Sequence, residues 1–266
     1  MTRNDEVARG PLVYASYEDE VRGVRLAAWL TGLRRLAPQQ LGALELEPLR
    51  VGRVPSGKDL LFREALESGV LEIRERGGVE GVEAVNRGGV PVLILDGEAL
   101  SERKPRRVVA KSVLVPPRAA VALPVGLMER RRWEHRGSGP REGWPRPAPR
   151  FPSPALAPLR GQVGVVATSR GRLLGVELAA HPDTWASLAP RALAGYELAA
   201  EDAGRGNRPA GEPPGAGEWI ERLAAARVVS SGTVGIGLDL SLLGEGIEGS
   251  ALWHEGCALH LVAFPS

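Results

Sequence analysis

The sequence predicts an α+β fold in which β-structure dominates, arranged mainly as antiparallel sheets of a β-sandwich or barrel-like form with two to three helices. Three observations lead to this prediction. Short apolar segments recur along the chain, glycine or proline separates most of them, and only a few segments have the apolar period of a helix. With 266 residues, 43% of them hydrophobic, the chain can bury the core of one large domain or two small ones.

Strands account for most of the N-terminal half. Residues 24–42 show no clean period and predict an edge strand or an irregular cover, whereas residues 44–49 alternate with period two and predict a strand that ends at Pro48. Residues 58–68, followed by Gly69, predict a short amphipathic helix with a glycine cap. Five further strands, separated in part by hairpin-type breaks at 77–78 and 86–89, are predicted over 70–74, 81–85, 90–95, 107–115 and 119–125.

The C-terminal half follows a segment of different composition. Residues 137–161 contain seven prolines and predict a surface loop or linker, so we expect one domain over 1–266 in which this loop separates a β-rich half from an α+β half. A helix over 183–201 would place one apolar face on Trp185, Leu188, Ala192, Leu193 and Tyr196, and a shorter helix is predicted over 218–226. The remaining predicted elements are strands over 162–168, 173–178, 234–240, 249–254 and 258–264, and turns over 169–172, 230–232, 235–237 and 254–256.

The charge distribution is uneven. The net charge is only +2, but residues 101–150 contain 13 lysines or arginines against 4 glutamates, a local charge of +9 that leaves −7 for the rest. A positive field over one face favours an anionic ligand such as a nucleotide, a phosphate ester or nucleic acid. The alternative is an arginine-rich linker whose charge serves no ligand.

The sequence contains no sign of export. It has no apolar run long enough to span a membrane and no signal-peptide pattern at its start, so we expect a cytoplasmic protein without membrane contact. A single cysteine, Cys257, excludes an intramolecular disulfide and a cysteine-based zinc site, and its apolar surroundings predict a buried structural thiol. The oligomeric state stays open.

The strongest candidate site follows the strand predicted over 90–95. The continuous apolar run at 92–95 predicts a strand buried on both faces, which delivers Asp96 and Glu98 to its rim around the flexible Gly97. Two carboxylates at such a rim can bind a divalent cation, hydrogen-bond a sugar hydroxyl or act as acid and base, but they can also simply end a strand. Nearby basic side chains, Lys104 and Arg107 among them, favour a nucleotide over a bare metal ion. No dinucleotide or phosphate-loop motif is present.

The central residues resemble a known family. The run GVPVLILDGEAL at 89–100, then Lys104, Arg107, the segments 112–116 and 123–125, Glu129 and Trp133, is similar to the ARG and rhodanese-phosphatase-superfamily-associated protein family. Segments 161–164, 175–178, 249–256 and 260–264 extend the resemblance over most of the chain, from about residue 36 to residue 264. The family's name records association with ADP-ribosylglycohydrolases and phosphatase-like proteins, which implies the processing of NAD-derived or ADP-ribose-containing molecules.

The chain also departs from the family pattern. Charged residues and a proline flank Lys104 where small residues and amides are usual, Ala110 and Lys111 stand in place of neutral polar residues, and the loop at 137–161 replaces a helical region. The residues that match the family are therefore the better site candidates: Asp96, Glu98, Lys104, Arg107, Glu129 and Trp133.

Two hypotheses follow. In the first, the protein binds or hydrolyses an ADP-ribose-like nucleotide; a catalytic set of Asp96, Glu98 and Glu129 acts on it, and the ligand-binding residues are Gly97, Lys104, Arg107, Ser112 and Trp133. No residue is assigned as a metal ligand and the cofactor is unknown, although a divalent cation is possible. In the second, a non-catalytic interaction protein docks nucleic acid or an acidic protein on its basic face.

The histidines are weaker candidates. We expect His181 to be structural, because it precedes Pro182 at a helix entry. His254 and His260 would reach the site only if the C-terminal strands pack beside Asp96.

Overall fold

A computed structural model describes residues 16–52, 54, 59–75, 81–100, 107–127, 158–203 and 214–266. The prediction of a mainly antiparallel, β-dominant fold with few helices is confirmed, and the described sheets form no closed barrel. None of the described helices is both long and apolar enough to span a bilayer.

The described elements comprise four helices and seventeen strands. The helices are α1 (Tyr17–Thr31), α2 (Phe62–Glu67), α3 (Pro182–Ala203) and α4 (Ala216–Ala224). The strands are β1 (Arg34–Arg35), β2 (Gln39–Leu41), β3 (Leu44–Arg50), β4 (Leu60–Leu61), β5 (Leu71–Glu75), β6 (Val82–Asn86), β7 (Val92–Ile94), β8 (Arg107–Val109), β9 (Val113–Val115), β10 (Ala119–Ala122), β11 (Val125–Leu127), β12 (Gly164–Ser169), β13 (Arg172–Ala179), β14 (Arg227–Gly232), β15 (Leu238–Gly244), β16 (Ile247–His254) and β17 (Cys257–Phe264).

A nine-stranded antiparallel sheet forms the centre of the molecule. Its order is β1-β3-β12-β13-β17-β16-β15-β14, with β2 also paired to β3, so the N-terminal strands join a sheet built mostly from the C-terminal half. One face packs on α1 and α4 through a core that includes Leu30, Trp219 and Leu223. The other face packs on α3, whose predicted apolar face from Trp185 to Tyr196 is fully buried as expected.

The described part of the N-terminal half forms three small sheets, and one of them, β4-β7-β9, packs on the α3 side of the large sheet. Their orders are β4-β7-β9, β10-β6-β5 and β11-β8, and β4 runs parallel to β7 whereas the other pairs are antiparallel. Leu93 and Leu114 on β7 and β9 face the core shared with α3, while Val92 and Ile94 face a second core under α2. Strand β7 is therefore buried on both faces, as its continuous apolar sequence predicts.

A β-bulge in β17 decides which side chains face α3. Leu252 pairs with His260 and Trp253 pairs with Ala258, so Leu259 is an extra residue in β17. Without it, residues 258 and 260 would lie on one face, because side chains alternate along a strand. With it, Ala258 lies with Trp253 on the α1 side, whereas His260 lies with Leu252 on the α3 side.

The prediction for residues 24–42 is wrong in its first part. Helix α1 extends through Thr31, and only the short strands β1 and β2 follow. Ser16 caps this helix by accepting the backbone N–H of Asp19, and the Asp19 carboxylate accepts the backbone N–H of Ser16 in return. The helix is held in place by its packing on α4, β14 and β17.

Five further predictions differ from the structure. Strand β3 continues through Pro48 to Arg50, and the helix predicted over 58–68 is confirmed only as the shorter α2, because residues 60–61 form β4. Residues 86–89 are no hairpin, since β6 and β7 belong to different sheets, and residues 107–115 form two strands. Residues 230–232, predicted as a turn, lie in β14. The loop predicted over 137–161 lies outside the described residues except for its last four, so the domain arrangement stays a prediction.

Candidate functional site

The site begins where β7 ends. Asp96, Gly97 and Glu98 form a turn in which Gly97 has a φ of 77°, a left-handed conformation that favours glycine. Two backbone hydrogen bonds attach this turn to β8: the Gly97 N–H donates to the Val109 carbonyl at 2.8 Å, and the Val109 N–H donates to the Glu98 carbonyl at 3.0 Å. The carboxylates therefore extend from a turn that is fixed on both sides.

An arginine from α3 lies against the same turn. The Arg191 Nη1 atom is 3.4 Å from Glu98 Oε1, and Glu98 is only 8% exposed. A Cβ atom on Gly97 would lie 3.5 Å from Arg191 Nε, so the guanidinium packs directly over the glycine. A buried carboxylate needs such a partner, because burial without one costs several kcal/mol.

A hydrogen-bond chain connects the turn to the large sheet. Ser112, between β8 and β9, accepts the Asp96 backbone N–H at 2.9 Å through its Oγ. The same Oγ lies 2.7 Å from His260 Nδ1 on β17, and His260 Nε2 lies 3.4 Å from Glu177 Oε1 on β13. Ser112, His260 and Glu177 are 7%, 4% and 4% exposed, so this hydrogen-bond chain is largely buried and Ser112 is its most exposed member.

One tautomer of His260 satisfies this chain. If Nε2 carries the ring proton, it donates to the Glu177 carboxylate, and the bare Nδ1 accepts the Ser112 hydroxyl proton. The Ser112 oxygen still accepts from Asp96, since a hydroxyl has one donor and two acceptor positions. The chain therefore runs from a carboxylate in the large sheet, through an imidazole and a hydroxyl, to the backbone of the carboxylate turn.

The structure brings several predicted site residues together. Asp96, Gly97, Glu98 and Ser112 meet at one turn, and Arg107 lies next to it at the start of β8, where its carbonyl accepts the Leu100 N–H at 3.0 Å. Their roles as catalytic or ligand-binding residues stay predictions. The other candidates lie outside the described residues: Lys104, Glu129 and Trp133.

Sequence reasoning missed Arg191 and Glu177 and gave His260 little weight. All three share one signal, because each is an isolated ionisable residue within an apolar stretch of a strand or helix. Such a residue must face either solvent or a polar partner. The condition set for His260 is met, since β17 does pack beside Asp96 through Ser112.

The remaining candidates lie elsewhere. His254 ends β16, with its Nε2 3.7 Å from Glu255, and His181 accepts the Asp183 backbone N–H at the start of α3. Cys257 is buried as predicted, and burial raises the pKa of its thiol to about 11. In the described part of the chain, no group of three or more histidine, cysteine, aspartate or glutamate side chains is arranged to hold a metal ion.

These features define a β-dominant α+β protein with a candidate site between its large sheet and a small one. The site consists of a turn that carries two carboxylates, an arginine that packs on this turn, and a buried serine that is hydrogen-bonded to it. The sequence model of one protein family, the ARG and Rhodanese-Phosphatase-superfamily-associated Protein domain, matches residues 32–143 and 153–264. The chain belongs to this family. The match begins just after α1 and includes every site residue named above. Neither the curated proteins nor the solved structures contain a match to the chain.

Proposed function

We propose that the protein binds and hydrolyses an NAD-derived or ADP-ribose-like nucleotide at the turn formed by Asp96, Gly97 and Glu98. The observation that carries the proposal is the contact of Arg191 with this turn, since its guanidinium packs over Gly97 and lies 3.4 Å from the Glu98 carboxylate. Such a combination suits a ligand with hydroxyls and phosphates on neighbouring groups.

The two kinds of group have different tasks. Carboxylates accept strong hydrogen bonds from ribose hydroxyls, and a guanidinium can bind two phosphate oxygens at once. Arg107 at the start of β8 and Lys104 are the further phosphate contacts in this proposal. Asp96, Glu98 or Glu129 would activate the attacking water as a general base.

Membership in the family supports the choice of ligand class. The family description associates the domain with ARG and with the rhodanese-phosphatase superfamily. The resemblance implies ADP-ribosylglycohydrolases for ARG, and these enzymes, like phosphatases, act on substrates with phosphate groups. A binding surface for such substrates needs cations, and residues 101–150 carry a local charge of +9.

A thermal-shift screen tests the proposal directly. NAD, ADP-ribose, ADP and ribose 5-phosphate are each added with and without magnesium, and a ligand at about 100 times its dissociation constant stabilises the protein by about 2.7 kcal/mol. Glu98→Gln is expected to remove the shift, and Glu72→Gln is the matched control because Glu72 is also paired with arginines but lies on β5. No shift with any nucleotide would contradict the proposal.

Salt dependence distinguishes the competing hypothesis. If the basic face docks nucleic acid without a specific site, affinity should fall roughly a thousandfold or more between low and moderate salt for six or more phosphate contacts. A nucleotide held by the turn and Arg191 makes few phosphate contacts, so its affinity should change much less. Product analysis by chromatography then shows whether a bound nucleotide is also hydrolysed.

A further inference from the structure

The hydrogen-bond chain formed by Ser112, His260 and Glu177 extends well beyond its contact with the turn. That contact is a single hydrogen bond, from the Asp96 N–H to the oxygen of Ser112, the residue before β9. His260 and Glu177 are not needed for that contact, yet both are buried within the core between the large sheet and α3. Apolar residues of similar size usually stabilise such a core as well or better.

Several elements contribute to this chain. Ser112 and His260 are 148 residues apart in sequence, and His260 and Glu177 are 83 apart. The bulge at Leu259 turns the imidazole to the α3 side, where it meets the other two groups. A bulge that redirects one side chain toward a polar partner is common beside active sites.

We propose that Ser112 is a nucleophile activated by His260 and positioned through Glu177, and that the protein has serine esterase activity on carboxylic esters. The order carboxylate, imidazole, hydroxyl is the one by which unrelated folds activate a serine. Here the serine faces Nδ1 and the carboxylate faces Nε2, and either ring nitrogen can accept a proton.

The reaction balances without a further reactant except water. The Ser112 Oγ forms a bond to the ester carbon while its proton passes to His260 Nδ1, and the carbonyl oxygen takes up the displaced electron pair. The carbon–oxygen bond to the alcohol then breaks, and the alcohol leaves with the proton from Nδ1. Water attacks the acyl serine by the same route, which releases the carboxylic acid and returns the proton to Ser112.

The surroundings suit this step. The imidazolium formed on His260 faces the Glu177 carboxylate, which stabilises its charge and holds the ring. Arg191, which pairs with Glu98, lies over Gly97, the residue after Asp96. In this proposal its charge stabilises the negative oxygen that forms near the turn. The proposal does not depend on a nucleotide ligand.

A fluorophosphonate probe tests the nucleophile in the full chain. This probe forms a bond with activated serines, and mass spectrometry of the digested protein identifies the labelled residue. We expect label on Ser112, and we expect hydrolysis of p-nitrophenyl acetate that the probe abolishes. Ser112→Ala should lose both. Ser169→Ala should keep both, because Ser169 is a fully buried serine of the large sheet with no hydrogen-bond partner among the described residues.

Two variants test the activation of Ser112. His260→Gln should slow labelling about a hundredfold or more, since it removes the general base. Glu177→Gln should slow it by about tenfold or more, because its amide can donate to Nε2 and leave the proton on Nδ1. Nitrogen NMR of the His260 ring should show this change of tautomer, which a purely structural carboxylate would not explain.

The outcomes separate the two proposals. An unlabelled Ser112 in folded wild-type protein, or labelling that is as fast in folded His260→Gln, would overturn the esterase proposal. If His260→Gln does not fold, labelling of Glu177→Gln at the wild-type rate would overturn it equally. Neither result bears on nucleotide binding, which the thermal shift measures without any ester.

Discussion

The ion pair between Glu98 and Arg191 allows a quantitative test of the site. At 3.4 Å, two unit charges attract by about 5 kcal/mol when the effective dielectric constant is near 20. The Arg191 side chain is 27% exposed, so solvent screening and the cost of desolvating both groups reduce the net coupling to about 1–2 kcal/mol.

A double-mutant cycle measures this coupling. Arg191→Met removes the charge but keeps an apolar chain over Gly97, and it should destabilise the protein by about 1–3 kcal/mol because Glu98 loses its partner. Glu98→Gln in the Arg191→Met background should recover part of that loss, since a neutral amide needs no counter-charge. Urea unfolding of the four proteins gives the free energies of unfolding from the midpoints and slopes.

The exposed pair of Arg74 and Glu72 is the matched control. Their side chains are 42% and 43% exposed, so the same cycle there should show much weaker coupling. Additive effects of Arg191→Met and Glu98→Gln, to within about 0.5 kcal/mol, would refute the pairing as an energetic feature of the site.

Three further predictions concern the frame around the site. Hydrogen bonds from Ser230 and Ser16 hold the pKa of the Asp19 carboxyl well below its ordinary value of 3.8. The stability that the ionised carboxylate contributes is therefore present above that value and is lost as pH falls through the lowered pKa. Asp19→Asn should make the melting temperature depend less on pH in the acid range, and an unchanged dependence would contradict this. Burial raises the pKa of Cys257 to about 11, so a thiol reagent at mildly alkaline pH should react much more slowly with folded than with unfolded protein, and equal rates would show an accessible thiolate. Gly175→Ala would place a Cβ atom 2.8 Å from the Tyr196 hydroxyl and should destabilise the protein by about 1–3 kcal/mol in urea unfolding, whereas an unchanged midpoint would show that the helix yields without cost.

Local patterns predicted many of the elements. The turn at 169–172 joins β12 to β13 as expected, with positive φ at Arg170 and Gly171, because a two-residue hairpin needs that backbone conformation. The turn at 254–256 and the helix α3 are confirmed for similar reasons, since their signals lie within a few neighbouring residues. The start of α1 also has a local signal, the Ser16 and Asp19 of a capping box, which sequence reasoning missed.

Pairing between distant strands was not predictable in the same way. The break at 86–89 has the composition of a hairpin turn, yet β6 pairs with β5 and β10 while β7 pairs with β4 and β9. A turn sequence specifies the local backbone direction but does not determine which strand lies alongside. That choice depends on the cores formed by side chains far apart in the chain.

The candidate site was likewise predictable only in its local part. The sequence by itself determined that a buried strand ends in Asp96, Gly97 and Glu98, because an apolar run followed by a glycine between two carboxylates is a local pattern. Only the tertiary structure decided that Arg191, Ser112, His260 and Glu177 meet this turn. These partners come from α3, β13, β17 and the segment before β9, and a one-residue bulge sets the direction of the imidazole. A short sequence pattern cannot predict these contacts, because they depend on how whole sheets and helices pack together.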